Sequence, residues 1–298
     1  MTKRFLSIGE CMVEMAPAAD GNFRMGFAGD TLNTAWYARR ELGKDWDVAY
    51  FTAVGDDAIS ARMVDFLDAS AIATDLIRRI PDRTVGLYLI QLDNGERSFA
   101  YWRSESAARR LAGDADILKA NLATADLIYF SGITVAILPP SERQTLFASV
   151  AEAQANGATI AFDPNLRPRL WEDADTMRKA VMDAAAVSDI LLPSYEDEAN
   201  AFGDRNTEDT ARRYSGQGVP IVIVKNGACE MLALDRGNIQ RFTPDPVASV
   251  VDTTAAGDSF NAAFLASYLR SGELSPALAA GAELAARVIG QRGALIDS

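Results

Sequence analysis

At 298 residues, 49% hydrophobic and 23% charged, the chain has the balance of a soluble globular protein, and no apolar run nears the ~18 residues that cross a bilayer. Its 29 basic and 41 acidic residues leave a net charge of −12, which argues against nucleic-acid or anionic-membrane partners and requires that any phosphate be met by local donors or a metal ion. There is no histidine, which excludes Ser-His-Asp and Cys-His machinery and most metal-hydrolase ligand sets; in an enzyme the proton acceptor is then expected to be a carboxylate.

The stretch up to Ile8, apolar behind Lys3 and Arg4, lacks the long apolar region and cleavage site of a secretion signal; it reads as a first strand, and a cytoplasmic protein is expected. Compact apolar runs ended by Gly, Asp, Ser or Pro predict strands over 5–9, 48–54, 127–131, 159–163, 190–193 and 221–225. Between them, 31–42 has a Thr/Asp helix start and a Gly43 stop, and 139–155 starts on Pro-Pro and stops before Gly157. This alternation predicts an α/β fold with a doubly wound, mostly parallel sheet and helices on both faces.

One segment breaks the pattern. Runs 84–92 and 96–103 flank Asp93-Asn94-Gly95, a hairpin signal. Phe99 and Tyr101 alternate with Ala100 and Trp102, so neither face is simply polar, and the hairpin is either a dimer surface or a lid over a ligand. With no repeat, low-complexity tract or Pro/Gly linker, one domain over 1–298 with a β insertion including about 84–103 is expected. Cys11 and Cys229 form no CxxC pair and are expected as buried free thiols.

The most informative stretch is Asp252-Thr253-Thr254-Ala255-Ala256-Gly257-Asp258. It runs from a predicted strand at 249–251 through a small-residue turn into a helix from about 257 to 269. The first N–H groups of such a helix have no intrahelical partner, and small side chains leave them open to an anion. Asp258 falls in the first turn, where it could accept the proton of an attacking hydroxyl while the amides hold charge on a transferring phosphoryl group. A helix cap and a first-turn charge would suit the same two aspartates. Local chemistry alone leaves both readings open.

The string resembles the DTTGAGD signature of the ribokinase (PfkB) family of carbohydrate kinases. The resemblance implies that Asp258 is the catalytic base and that the amides of Ala255, Ala256 and Gly257 form the anion hole. Ala255 departs from the usual glycine; a positive φ there would strain it by roughly 1 kcal/mol. The 2-keto-3-deoxygluconate kinase branch is similar in carrying alanine at that place.

The resemblance extends along nearly the whole chain. Ala28-Gly29-Asp30-Thr31-Leu32-Asn33 is similar to the family's GGxxxN region, which implies that Gly29 and Asn33 contact substrate hydroxyls; a capped helix start is compatible with that role. Asp163-Pro164-Asn165-Leu166-Arg167 through Leu170-Trp171 resembles the DxNxRxxLW stretch of the sugar-acid and fructose branches. Tyr101-Trp102-Arg103 is similar to a lid stretch that contacts the sugar acid, while Tyr88 on the facing strand is either a sugar contact or structural. Convergence of Arg103 and Arg167 on one ligand would favour a carboxylate over a neutral sugar.

Ser194-Tyr195-Glu196-Asp197 stands where the family has NxxE, which implies that Asp197, or neighbouring Glu198, serves Mg2+ through water; an acidic first helical turn is the plainer alternative. Lys225-Asn226-Gly227 resembles the nucleotide-pocket loop, and Asn165, Ser194, Lys225, Gly227, Thr254 and Gly257 are the implied ATP contacts. No GxxxxGK[ST] or GxGxxG occurs. The family reading implies ATP, Mg2+, a homo-oligomer and transfer to a sugar acid such as 2-keto-3-deoxygluconate, and it leaves room for a monovalent cation. A fructokinase or other neutral-sugar kinase, a non-catalytic sensor, and an oxidoreductase on a doubly wound sheet are the alternatives, the last without a dinucleotide fingerprint.

Overall fold

The computed structural model describes residues 2–18, 20–93 and 96–296. Among them, eight strands form one sheet: β1 (Lys3–Ile8), β4 (Trp46–Phe51), β9 (Leu127–Ser131), β10 (Thr159–Asp163), β11 (Ile190–Leu191), β12 (Ile221–Val224), β13 (Met231–Asp235) and β14 (Asn238–Phe242). Their order is β14-β13-β12-β11-β10-β9-β1-β4, parallel except for the two pairings made by β13. A second sheet, ordered β3-β2-β7-β8, is built from β2 (Met12–Pro17), β3 (Phe23–Ala28), β7 (Gly86–Asp93) and β8 (Glu96–Trp102), and a short pair joins β5 (Ala53–Val54) to β6 (Arg78–Arg79).

Among the described residues ten α-helices accompany these strands: α1 (Asp30–Glu41), α2 (Ala58–Ala69), α3 (Ala115–Leu122), α4 (Gly132–Ile137), α5 (Pro140–Ala155), α6 (Ala174–Ala185), α7 (Tyr195–Phe202), α8 (Thr207–Ser215), α9 (Ala256–Ser271) and α10 (Leu274–Ile289). The inner strands are apolar on both sides because each feeds two cores, whereas the edge strand β14 is largely exposed. In β1, Phe5 packs with α1, α2, α9 and α10, whereas Leu6 and Ile8 pack with the α3–α6 and α8 layer. The same alternation recurs in β9, where Leu127 and Tyr129 face one layer and Ile128 and Phe130 the other.

β9 and β10 fall where the apolar runs predict them, and α1 and α5 within a residue of expectation. Run 48–54 breaks at Thr52 into β4 and β5, which pair with different strands. The expected strand at 249–251 is absent: Val250 and Val251 are exposed, and the amides of Val251 and Asp252 bond instead to the Ile289 carbonyl at the end of α10. β-branched residues there favour extended backbone, but no neighbouring strand is on hand to pair with it. Cys11 is buried and Cys229 is exposed, so the expectation of two buried thiols holds for the first alone.

The hairpin forms as β7 and β8; its turn residues Asn94 and Gly95 lie outside the described residues. The insertion is larger than the hairpin, because β2 and β3 pair antiparallel and dock β2 parallel to β7. β1 lies between β4 and β9, so the chain reverses its direction of growth across the sheet there, and the crevice beyond the carboxyl ends of the strands is where such sheets bind ligands.

Candidate active site

Four loops leaving that carboxyl edge and two helix starts make the site. Glu10 follows β1, Asp163 ends β10, Ser194 follows β11 and Lys225 follows β12. Above them stand the N-termini of α1 and α9, which pack on the same face of the sheet.

The α9 start is shaped by its turn. Asp252, buried, accepts from the Thr254 amide (3.0 Å) and hydroxyl (2.7 Å) and from the Gly293 amide (2.9 Å), which ties the turn to the segment after α10. Ala255 then takes φ 60° and ψ 14°, the left-handed conformation that strains a side-chain-bearing residue. Of the three expected anion-hole amides, that of Ala256 already donates to the Thr253 carbonyl at 3.3 Å. The Ser259 amide reaches back to Ala255 at 2.9 Å, so Gly257 and Asp258 occupy the first turn, whose N–H groups have no carbonyl one turn behind them.

Asp258 and Asn33 meet although 225 residues separate them: the Asn33 amide group donates to the Asp258 carboxylate at 2.8 Å. Burial, then the charge of Asp30, pushes Asp258 up to about 8 against the opposing pull of the Asn33 hydrogen bond. Asn33 also accepts from the Gly29 amide at 3.5 Å. Gly29 has extended backbone, so its lack of a side chain answers to space: a Cβ would lie 2.2 Å from the Glu10 carbonyl oxygen.

Beneath Asp258 lies a buried polar cluster. Lys225 Nζ donates to Asp163 (2.9 Å) and Asn261 (3.0 Å), and Asn261 donates to Asp163 (2.6 Å) and to Tyr129 (3.1 Å). A Cβ built on Gly257 would come 3.5 Å from that same Nζ, which places the lysine charge under the α9 N-terminus. Asn165 takes a positive φ of 34° and donates to Asp30 at 2.7 Å. Asp30 therefore touches Asn165 while its charge bears on Asp258.

Ser194 pairs with Lys225 across a β-bridge, and the Tyr195 amide donates to the Lys225 carbonyl at 2.8 Å. Asp197 faces Arg167 at 3.7 Å, and burial raises its pKa. Gly227 takes a positive φ of 55° in the loop after β12.

On the hairpin, Tyr88 and Tyr101 oppose each other with ring centroids 6.0 Å apart, and Phe99 stacks beside Tyr101 at 6.2 Å. Tyr88 is buried and donates to Glu14, whereas Phe99, Tyr101 and Trp102 are exposed. Arg103 donates to Glu10. The two arginines expected to converge thus pair with different carboxylates, Arg103 with Glu10 and Arg167 with Asp197.

Glu10, Glu14, Tyr129 and Asn261 belong to these contacts without having been singled out in the sequence, and Asp30, expected only as a helix cap, joins them. Glu14 had a local signal, a lone acid in the otherwise apolar run 12–17. Tyr129 and Asn261 had none, since each is surrounded by the apolar residues of its own element.

Residues 2–298 match the family model described as pfkB family carbohydrate kinase. The chain is 40% identical over 302 residues, 99% of its own length and 97% of the relative's, to the 2-dehydro-3-deoxygluconokinase of Dickeya dadantii. A fructokinase of Vibrio alginolyticus is 27% identical over 88% of this chain and 83% of its own. The structure of a Xylella fastidiosa fructokinase with bound ATP superposes with a TM-score of 0.85 at 21% identity, over 99% of this chain and 94% of that one. With the family model matched along the chain and a 40% identical relative matched end to end, the chain belongs to the pfkB family of carbohydrate kinases.

Proposed function

We propose that this carbohydrate kinase transfers the γ-phosphoryl group of ATP to the 6-hydroxyl of the sugar acid 2-keto-3-deoxygluconate. The observation that carries the chemistry is Asp258: a carboxylate with its pKa brought near neutrality, in the first turn of a helix whose free N–H groups suit an anion. The full-length similarity to a 2-dehydro-3-deoxygluconokinase supports the substrate.

In this reading Asp258 takes the hydroxyl proton, and Asn33 holds the carboxylate in place and keeps its pKa from rising further. The amides of Ala255 and Gly257, with Ala256 released from Thr253, and the Lys225 charge beneath them stabilise negative charge on the moving group. Gly29 and Asn33 meet sugar hydroxyls, Tyr88 and Tyr101 cover the sugar, and Arg103 and Arg167 take its carboxylate. Asn165, Ser194, Thr254 and Gly227 line the nucleotide side.

Among the described residues no three acidic or thiol groups cluster to cage a metal. Magnesium needs no cage, because it retains waters and is carried largely by nucleotide phosphates with one or two carboxylates. The half-exposed Asp197, beside Asp163, fits that part. Bound there, the ion would neutralise phosphate charge.

For the expected homo-oligomer the supporting feature is the exposed aromatic residues on both faces of the lid, Phe99 and Tyr101 on one and Trp102 on the other, and sedimentation of a monomer at micromolar concentration would remove it. The function is tested by ADP release with Mg·ATP and two acceptors, 2-keto-3-deoxygluconate and fructose, each with and without added potassium. Preference for the acid is expected. Preference for fructose would keep the kinase and replace the substrate, and a rate independent of potassium would remove the monovalent cation.

A further inference from the structure

The lid is rooted in the body at Glu10, the second residue after β1 and two before β2. Its carboxylate is 1% exposed and pairs with Arg103, 10% exposed, one residue past β8. The surroundings are built to the pair: a Cβ on Gly86 would meet Glu10 Oε1 at 2.8 Å and the Arg103 Cβ at 3.2 Å. The pair is also incomplete. Glu10 Oε1 and Arg103 Nε are both buried without a hydrogen-bond partner, although a side-on fork between the two groups would satisfy both. A buried ion pair contributes little to stability over an apolar pair of similar volume, and unmet polar atoms make it costlier still. Fold stability therefore gives a poor account of this arrangement.

Its position offers a better one. The Glu10 carbonyl is in contact with Gly29, Gly29 bonds to Asn33, and Asn33 holds Asp258. Arg103 is thereby fixed at the edge of the substrate side, with its Nε/Nη2 edge turned to Glu10 and, among the described residues, its Nη1 end left over. We propose that Glu10 is a positioning residue that sets selectivity for acidic over neutral sugars by orienting Arg103, so that the unspent guanidinium donors receive the carboxylate of a sugar acid. This rests on the sugar-acid reading of the site.

The test compares the sugar acid with its uncharged carboxamide in wild type, Glu10→Gln, Arg103→Ala and the double variant. The expected result is that Glu10→Gln raises KM for the acid roughly tenfold, with kcat and the carboxamide KM changed less than about twofold. In the Arg103→Ala background the same substitution should add nothing, since its effect passes through the arginine. Equal losses on both acceptors, an undiminished effect without Arg103, or a lower KM for the acid would each overturn the proposal. ATP affinity and Tm report the integrity of the fold. If Glu10→Gln fails to fold, Glu10→Asp decides: a smaller, acid-only rise in KM supports the role, and wild-type or uniformly reduced kinetics overturn it. Wild type inactive on both acceptors would defeat the sugar-acid reading and this inference together; wild type preferring the acid with unchanged Glu10→Gln kinetics defeats the inference alone.

Discussion

A carboxylate that takes a proton from a sugar hydroxyl serves best with a pKa near the working pH, and Asp258 is brought there by opposed influences. Burial and Asp30 favour the neutral acid, while Asn33 and Lys225 favour the anion. Because the base must be ionised, log kcat/KM should climb with pH and level off above about 8, the value to which Asp258 is raised. Removing the hydrogen bond in Asn33→Ala should move that inflection to higher pH; a profile that stays put would separate Asn33 from the base. Asp258→Asn should lower kcat by about 100-fold or more with ATP affinity nearly intact, as measured by turnover and nucleotide titration. Ala255 offers a test of strain at the same turn. Glycine is at ease at φ 60°, so Ala255→Gly should gain up to about 1 kcal/mol net of the greater freedom of the unfolded chain, read from denaturant midpoints. Asp258 and Ala255 were legible because their meaning is local, written in adjacent residues. Asn33 was legible only as a substrate contact, since nothing in one strand of text shows that it touches a residue 225 positions away.

At the scale of elements, α7 and α8 are joined by one cation serving two acids. Arg213 donates to Asp204 (2.6 Å) and Glu198 (2.8 Å), and Glu198 is buried with its other oxygen unpartnered. Burial outweighs this shared partner and raises Glu198 to about 7. A carboxyl whose folded pKa lies above its unfolded value stabilises most below the unfolded value, near 4.5, and that contribution is lost as pH climbs through about 7. Wild type should therefore lose stability relative to Glu198→Gln across that interval, by a few kcal/mol at most, seen in paired melting curves. Glu198 was weighed in the sequence as an alternative magnesium contact; its side chain is instead buried against Arg213 and Tyr214. Elements with a self-contained signal were readable, as β9 and β10 show. β2 and β3 were not, because strands of a small lid carry mixed faces and take their register from the partner strand rather than from their own pattern. The failed strand at 249–251 is the converse case, with propensity present and no partner.

Over the whole molecule the net charge opposes both anionic substrates, so the local donors at α9 and the arginines act against the far field. Raising ionic strength from 0.01 to 0.15 M shortens the screening length from ~30 to ~8 Å and should increase kcat/KM for Mg·ATP severalfold. An inert tetraalkylammonium salt isolates screening from specific cation effects, and a fall in kcat/KM would show that local attraction governs capture. The sheet with helices on both faces was legible from the strand–helix alternation, but the size of the second sheet was not.

The contact between Asn33 and Asp258 also has a consequence for how the protein is made. Translation delivers the sugar-side helix early and the base late, and Tyr37 of α1 is bonded to Ala294 and Ile296 still further on. The strands of the central sheet all precede α9 in the chain, so the proposed proton acceptor is among the last parts to clear the exit tunnel. With Asp258 as the proposed base, half-made molecules are barred from spending ATP, and the first turnover marks a chain whose early and late segments have found each other.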